Sequence, residues 1–270
     1  MAARVGFIGL GAMGRPIASN IQAAGFDLMV YDLRQEPLDD LAKLGAKVAR
    51  SNRELGEHAE IVALAVPDDA AVEAAIAGEN GVLEGAQPGT VIAVHSTVRP
   101  ATVQRLAAHA ASKGVTLIDV QMSGGNEGAT KRTLCFMAGG DRAAFERVRP
   151  VLEASGTQIF HLGGLGMGAA AKAAQQAITV INVMAASEGF RMAETAGVDL
   201  EVFTELLAVS AGQSYMTDRY AKRMHPMVTE DPRPFYRGLR AVLGLGFELD
   251  VPMPATALAQ QTIPWALREE

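Results

Sequence analysis

A glycine triplet, an acid at the end of an apolar run and an isolated lysine carry the chemistry legible in this chain. Gly9-Leu10-Gly11-Ala12-Met13-Gly14 closes a short apolar run that begins at Val5, and a helical pattern follows it; a second run, Leu28 to Tyr31, ends at Asp32. In the order strand, tight turn, helix, strand and acid, each residue type has a physical task. Gly9 permits the tight turn, Gly11 lets a pyrophosphate approach the backbone, and Gly14 lets the helix lie close on the sheet. Free N–H groups and a partial positive charge at the helix start suit phosphates. A Gly-rich turn in an ordinary βαβ unit would use the same glycines, but the ordered context favours a dinucleotide site. A carboxylate at Asp32 accepts from the 2′-hydroxyl of NAD and repels the 2′-phosphate of NADP, so NAD is the expected cofactor. Arg34 is either a partial counter-charge for such a phosphate or a solvated loop residue.

The lysine stands in an apolar stretch. Lys172, Gln175, Gln176 and Thr179 fall at i, i+3, i+4 and i+7, on one helical face among Ala, Ile, Val and Met. A solvated face normally carries several charges, whereas this one carries a single ammonium. Apolar surroundings disfavour the charged form and move a lysine toward the working range of a general acid–base. Gly166 and Gly168, just ahead of it, permit close backbone approach.

These groups need elements to position them. Short apolar runs alternate with helical segments through residue 163 or so: after the first two come Ala46–Ala49, Ile61–Val66, Val91–His95, Val115–Val120, Thr133–Ala138 and Gln158–Leu162. That alternation predicts an α/β Rossmann-type doubly wound sheet. Its strand ends carry Asp32, Val66-Pro67, Ser96-Thr97 and Ser123-Gly124-Gly125, where such sheets gather binding groups. Past Gly163 the pattern turns helical, with segments expected at 168–196, 200–209, 213–224, 235–248 and 254–267. Two domains are therefore expected, 1–163 binding the dinucleotide and 164–270 an all-α unit that closes the cleft.

Composition excludes several function classes. A net charge of −6 gives no support for nucleic-acid binding, and the 5 histidines lack metal-ligand spacing, so no metal is expected. The single cysteine, Cys135, excludes an internal disulfide and reads as a buried strand thiol. Lys172 is the only charge between Met167 and Ser187, but Gln175, Gln176 and Asn182 interrupt that run, so a helix buried in protein is expected rather than a membrane span. The first strand begins close to Met1 and leaves no room for a signal peptide, and a cytoplasmic setting is the default expectation.

Four motifs occur together and in order: the glycine turn at 9–14, Ser96-Thr97-Val98-Arg99-Pro100, Asp119 through Ser123-Gly124-Gly125-Asn126-Glu127-Gly128-Ala129, and Gly166-x-Gly168-x-x-x-Lys172. The set resembles the β-hydroxyacid dehydrogenases, which include 3-hydroxyisobutyrate, tartronate semialdehyde and threonate dehydrogenases, over nearly the whole chain. The resemblance implies that Lys172 moves a proton to or from the substrate hydroxyl as hydride passes to nicotinamide. It implies that Ser123, Gly124 and Gly125 hold a substrate carboxylate, that Gln176 supports the substrate, and that Val66, Pro67 and Thr97 contact the cofactor. Homodimers or homotetramers are implied as well. Taken singly, Ser96-Thr97 reads equally as a helix cap ahead of Pro100, Pro67 as a strand end and Gly124-Gly125 as a turn.

The chain also departs from the family pattern. Gln175 and Gln176 replace two asparagines, Gln121-Met122 replaces Pro-Val, Arg132 stands where the family has glycine, and Arg237-Gly238-Leu239 replaces Lys-Asp-Leu. Glutamine keeps the amide but adds a methylene. Arg237, expected near the substrate anion or the cofactor, exchanges a compact ammonium for a planar fork. These changes bear on substrate identity, and an anion larger or differently shaped than hydroxyisobutyrate is expected. Two rival readings remain: an imine reductase-like enzyme of the same fold, which Lys172 argues against, and a non-catalytic NAD(H)-binding sensor, which the departures support.

Overall fold

The computed structural model describes residues 3–220 and 233–266, with side chains described to 220 and from 238 to 262. The chain divides into two compact units, Met1–Lys172 and Ala173–Glu270.

In the first unit, β1 (Arg4–Ile8), β2 (Asp27–Tyr31), β3 (Lys47–Val48), β4 (Ile61–Leu64), β5 (Val91–Val94), β6 (Thr116–Ser123), β7 (Leu134–Gly139) and β8 (Gly156–His161) form one sheet. Their order is β3-β2-β1-β4-β5-β6-β7-β8, with every neighbouring pair parallel except the antiparallel β6 and β7. The order runs outward in both directions from β1 and β4, which makes the ends of those strands the switch point where doubly wound sheets hold ligands. Between the strands lie α1 (Gly14–Ala23), α2 (Gln35–Lys43), α3 (Asn52–His58), α4 (Asp69–Ala77), α5 (Val82–Gly85), α6 (Pro100–Ala111), α7 (Gly125–Thr130) and α8 (Arg142–Glu153).

Burial on both faces explains why the central strands are apolar throughout. The pleat sends alternate residues to opposite sides. Val5, Phe7, Ile61, Ala63, Val91 and Ala93 join one buried cluster with Ile17 and Phe145, while Ile8, Val62, Leu64, Ile92 and Val94 join another with Leu55, Val72 and Val103. Short polar caps set the helix starts. Ser51 Oγ accepts from Glu54 N at 3.1 Å, Asp68 Oδ1 from Ala71 N at 2.9 Å and Asp141 Oδ1 from Ala144 N at 2.8 Å. Pro100 opens α6, behind an N-cap at Arg99 rather than at Ser96 or Thr97.

The helix α9 (Met167–Thr195) continues into the second unit, where α10 (Leu200–Ala208), a 3-10 turn (Thr217–Arg219), α11 (Arg233–Glu248) and α12 (Pro254–Ala266) follow. Val180, Val183, Ala186 and Phe190 of α9 pack with Met216, Tyr220, Leu239 and Ala259. The architecture is the expected one, an α/β Rossmann-type sheet followed by helices. One expectation fails. The helix predicted over 213–224 is a single 3-10 turn in its described part, because Ser214 and Thr217 bond each other's backbone N–H groups at 2.7 and 3.1 Å. Such local side-chain bonds compete with a helical ladder. Among the described residues no helix is long and apolar enough to cross a membrane.

Candidate active site

The glycine turn sits at the mouth of a cavity of about 950 Å³, whose lining includes Gly9, Gly11, Ala12, Met13, Asp32, Val66, Pro67 and Thr97. Gly9 has φ +88°, a conformation L side chains rarely adopt, and a Cβ there would meet Ala65 O at 2.5 Å. A Cβ on Gly14 would run into the Gly9 carbonyl, so the helix packs against its own turn only because position 14 is bare. Gly11 is the opposite case, with nothing within 4 Å of where its Cβ would stand. That open space is a cradle at backbone distance, and a side chain would fill it. Also in the cavity lining, Asn52 Oδ1 is buried without a hydrogen-bond partner among the described residues. A cavity of this size with a bare backbone turn and an orphaned acceptor in its lining fits a dinucleotide.

Asp32 stands at the end of β2 with its side chain 9% exposed. Its Oδ2 accepts from Leu10 N at 2.6 Å and Arg34 Nη2 at 3.2 Å, and its Oδ1 from Arg34 N at 2.9 Å and Nε at 3.0 Å. Burial alone would raise this carboxyl, but the bonds from Arg34 and Leu10 outweigh it and hold the group below the ordinary aspartate value. All four lone-pair positions are in use, so any further donor to Asp32 would displace part of the Arg34 fork. That fork is 60% exposed and its hold is therefore weak.

Strand β6 leads into the loop of Ser123, Gly124 and Gly125. Ser123 lies opposite Cys135 in the antiparallel pairing of β6 with β7, which puts the two side chains on one face. Gly124 and Gly125 then turn at φ +127° and +62° into α7. From α7, Asn126 Nδ2 donates to Ala12 O at 2.5 Å, tying this loop to the dinucleotide turn. Cys135 and Lys172 lie within each other's electrostatic reach, so Ser123, Cys135 and Lys172 form one neighbourhood within the first unit. Burial lowers the Lys172 pKa below the ordinary lysine value and raises that of Cys135. Cys135 is half-buried rather than the fully buried strand thiol that its apolar run predicts, because it faces this neighbourhood.

Two departures from the family pattern have structural accounts. Gln121, buried, donates from Nε2 to Ser96 O at 2.9 Å, while Ser96 Oγ accepts from Val66 N at 2.9 Å; the amide thus braces the strand ends that flank the cavity. Arg132 holds φ +60°, and its Nε donates to Asn20 Oδ1 at 3.1 Å. Asn20 Nδ2 in turn donates to Ala129 O and Ser155 Oγ at 2.8 and 3.1 Å, so the side-chain network fixes a left-handed residue that glycine would adopt freely. Arg132→Gly is expected to be more stable than Arg132→Ala by about 1 kcal/mol in urea unfolding, since both lose the guanidinium but only alanine keeps the strain. Equal midpoints for the two variants would remove the strain from the account.

In the second unit, Gln175 Nε2 donates to Thr179 Oγ1 at 2.7 Å along the helix. Gln176 lies against Gly238, where a Cβ would stand 3.5 Å from its Nε2. The Arg237 side chain lies outside the described residues. Among the described residues, no three His, Cys, Asp or Glu side chains gather as a metal site.

Sequence reasoning gave no part to several neighbours of the cavity and of Lys172. His95 lines the cavity from beneath with its ring against Phe7 and Phe136, centroids 6.3 and 5.7 Å away, and its Nδ1 is 2.8 Å from Val120 O. A carbonyl only accepts, so Nδ1 carries the proton. Burial drives the imidazole pKa down to about 4. Asp119 is wholly buried and bonded to the start of α9. A charged residue inside an apolar strand run was the available signal, since buried carboxylates require partners. Nothing local signalled Asn52, and Asn126 stood in the 119–129 motif with no part assigned to it.

A bare-backbone turn, a terminal acid and a large cavity on a doubly wound sheet, in a chain that continues into a helical unit, are the features of an NAD(P)-dependent oxidoreductase. Residues 4–163 match the family described as the NAD binding domain of 6-phosphogluconate dehydrogenase, and residues 166–270 the one described as NAD-binding of NADP-dependent 3-hydroxyisobutyrate dehydrogenase. The chain is 35% identical to the NAD-dependent L-serine dehydrogenase of Pseudomonas aeruginosa, over 80% of this chain and 73% of that one. It is 32% identical to the 2-(hydroxymethyl)glutarate dehydrogenase of Eubacterium barkeri, over 96% and 87%. Among solved structures, the Mycobacterium tuberculosis 3-hydroxyisobutyrate dehydrogenase with L-serine superposes with a TM-score of 0.86 at 26% identity, covering 98% of this chain and 93% of that one. The chain belongs to the β-hydroxyacid dehydrogenase family.

Proposed function

We propose that this protein catalyses reversible hydride transfer between NAD and the alcohol carbon of a small β-hydroxy acid, with Lys172 as general acid–base. The observation that carries the reading is a half-buried ammonium of lowered pKa, within electrostatic reach of Cys135 on the strand pair that presents Ser123. In oxidation, the neutral Lys172 amine takes the hydroxyl proton; in reduction, the ammonium returns it. Ser123 and the N–H groups of Gly124 and Gly125 grip the carboxylate, Gln176 supports the substrate, and Arg237 lies near the anion or cofactor. The turn at 9–14 cradles the pyrophosphate, Asp32 takes the adenosine ribose, and Val66, Pro67 and Thr97 line the nicotinamide side. Bound NAD supplies the hydride acceptor.

In this reading residues 1–163 hold the dinucleotide, and 164–270 serve substrate binding and self-association. The helix α10 buries none of its residues within the chain and exposes Val202 and Leu206, which supports a homo-oligomer. The fourfold engagement of Asp32 keeps it ionised and supports NAD over NADP. A single cysteine fits a cytoplasmic setting.

The test is a panel at mildly alkaline pH with NAD or NADP, following reduced-cofactor absorbance: 3-hydroxyisobutyrate, L-serine, glycerate, threonate, 2-(hydroxymethyl)glutarate, and cyclic imines assayed in the reductive direction. Turnover of at least one hydroxy acid with NAD is expected. Imine reduction alone, or NADH binding without turnover of any hydroxy acid, would overturn the reading.

A further inference from the structure

Strand β6 and helix α9 carry the two halves of the substrate neighbourhood, and one buried side chain joins them. Asp119 lies on β6, four residues before Ser123, with no exposed surface. Its Oδ1 accepts from Gly166 N at 2.7 Å and its Oδ2 from Ala169 N at 2.7 Å, on either side of the first residue of α9. Ala169 precedes Lys172 by three residues, so the anchor lies one helical turn from the ammonium. Glycines make the approach possible. Across the sheet, Asp119 pairs with Gly139, where a Cβ would stand 2.7 Å from Oδ1. On the helix, a Cβ on Gly168 would lie 2.7 Å from Oδ2 and would collide with Met137 O. The helix start is therefore seated on the sheet through one carboxylate, at a point where neither partner has a side chain.

We infer that Asp119 is a positioning residue: its carboxylate fixes the first turn of α9 to β6 and so sets the place of Lys172 relative to Ser123. This rests on the reading of Lys172 as the acid–base. Several observations support it. A carboxylate is the side chain that accepts from two diverging N–H groups, and those N–H groups at a helix start have no partner within the helix. The negative charge also complements the positive end of the α9 dipole. Fixing the first turn fixes whatever follows one turn later, and a displacement of about 1 Å at a reacting group can cost ~10²-fold in rate. Asp119 acts through Lys172 and touches neither substrate nor cofactor in this scheme.

The experiment compares Asp119→Asn, Gly168→Ala and Lys172→Ala with the parent enzyme, on whichever hydroxy acid turns over best. Each is measured for kcat, KM, the pH profile of kcat/KM, NADH affinity by fluorescence and Tm. Asparagine matches the size but places an N–H₂ against one of the two backbone donors. Gly168→Ala lifts the same turn while leaving the carboxylate intact. Both are expected to lose ~10²-fold in kcat and to keep NADH affinity within about twofold. The pH limb that Lys172→Ala abolishes should move toward the ordinary lysine value in both, because a displaced lysine regains water. If both variants keep kcat and the limb, losing only Tm, the positioning role is overturned. Should Asp119→Asn fail to bind NADH, Gly168→Ala decides alone. Full turnover by Lys172→Ala would instead remove the acid–base reading, a separate failure that the same data identify.

Discussion

Lys172→Ala is expected to lower turnover by ~10²–10⁴-fold while leaving NADH affinity nearly unchanged. The ammonium is drawn below its ordinary pKa by burial, with Cys135 in electrostatic reach opposing that shift. Its proton is therefore held more loosely than that of a solvated lysine. Oxidation of the alcohol needs the neutral amine, so its rate should rise as pH rises through the lysine pKa. Reduction needs the ammonium and should fall over the same range. Alanine removes both limbs. Arginine separates charge from proton transfer, since a guanidinium stays charged throughout. Lys172→Arg should be as slow as alanine if proton transfer is the role, and should recover much of the rate if a positive charge alone suffices. Stopped-flow single turnovers beside steady-state rates would distinguish slow chemistry from slow release. Normal turnover in the alanine variant would dispose of the assignment.

The second large effect concerns stability rather than catalysis. His95 is neutral in the folded protein, with its pKa pushed down to about 4 by burial, against an ordinary value of 6.5. Between those values the unfolded chain binds a proton that the native state refuses. Unfolding free energy therefore falls as pH drops through 6.5 and levels off below 4. The full difference is about 3 kcal/mol, of which about 2.5 kcal/mol is lost between pH 7.5 and 4.5. Asp119 works in the opposite sense, because burial raises its carboxyl and favours the folded state at low pH. A comparison of variants cancels that contribution. His95→Asn keeps an N–H near Val120 O and removes the titration, so the gap between its urea midpoints at pH 7.5 and 4.5 should be narrower than the parent's by that amount. A gap as wide as the parent's would mean that His95 is not the titrating group.

The glycine turn and the acid that line the large cavity were legible in the sequence because they are neighbours along the chain. A strand, a three-glycine turn and a helix occupy consecutive positions, and Asp32 follows at the end of the next strand. Lys172 stood out for a different reason, as one charge in a stretch whose other residues gave it no solvated company. What could not be read was pairing at a distance. The antiparallel reversal at β7 brings Cys135 across from Ser123, and nothing in either strand's composition distinguishes a parallel from an antiparallel partner. Asn126 reaches Ala12 over 114 positions and Asp119 reaches Gly166 over 47. The helix expected at 213–224 failed more locally over its described part, 213–220, where two hydroxyls captured N–H groups that a helix would have used; 221–224 lie outside the described residues.

The alternating pleat of the central strands has a consequence for how this protein can change. Phe7 and Ile8 are chain neighbours, yet they belong to separate buried clusters on opposite sides of the sheet. Side chains that share no partners combine their effects additively, and those within one packed cluster do not. Residues beneath α3, α4 and α6 are thus free to drift as a group, compensating one another, without disturbing the packing under α1 that holds the dinucleotide turn. The sheet acts as a firewall between two mutational histories, breached only along the cavity wall, where Ile8, Val66 and Ala75 bring the α3, α4 and α6 side to the nucleotide seat.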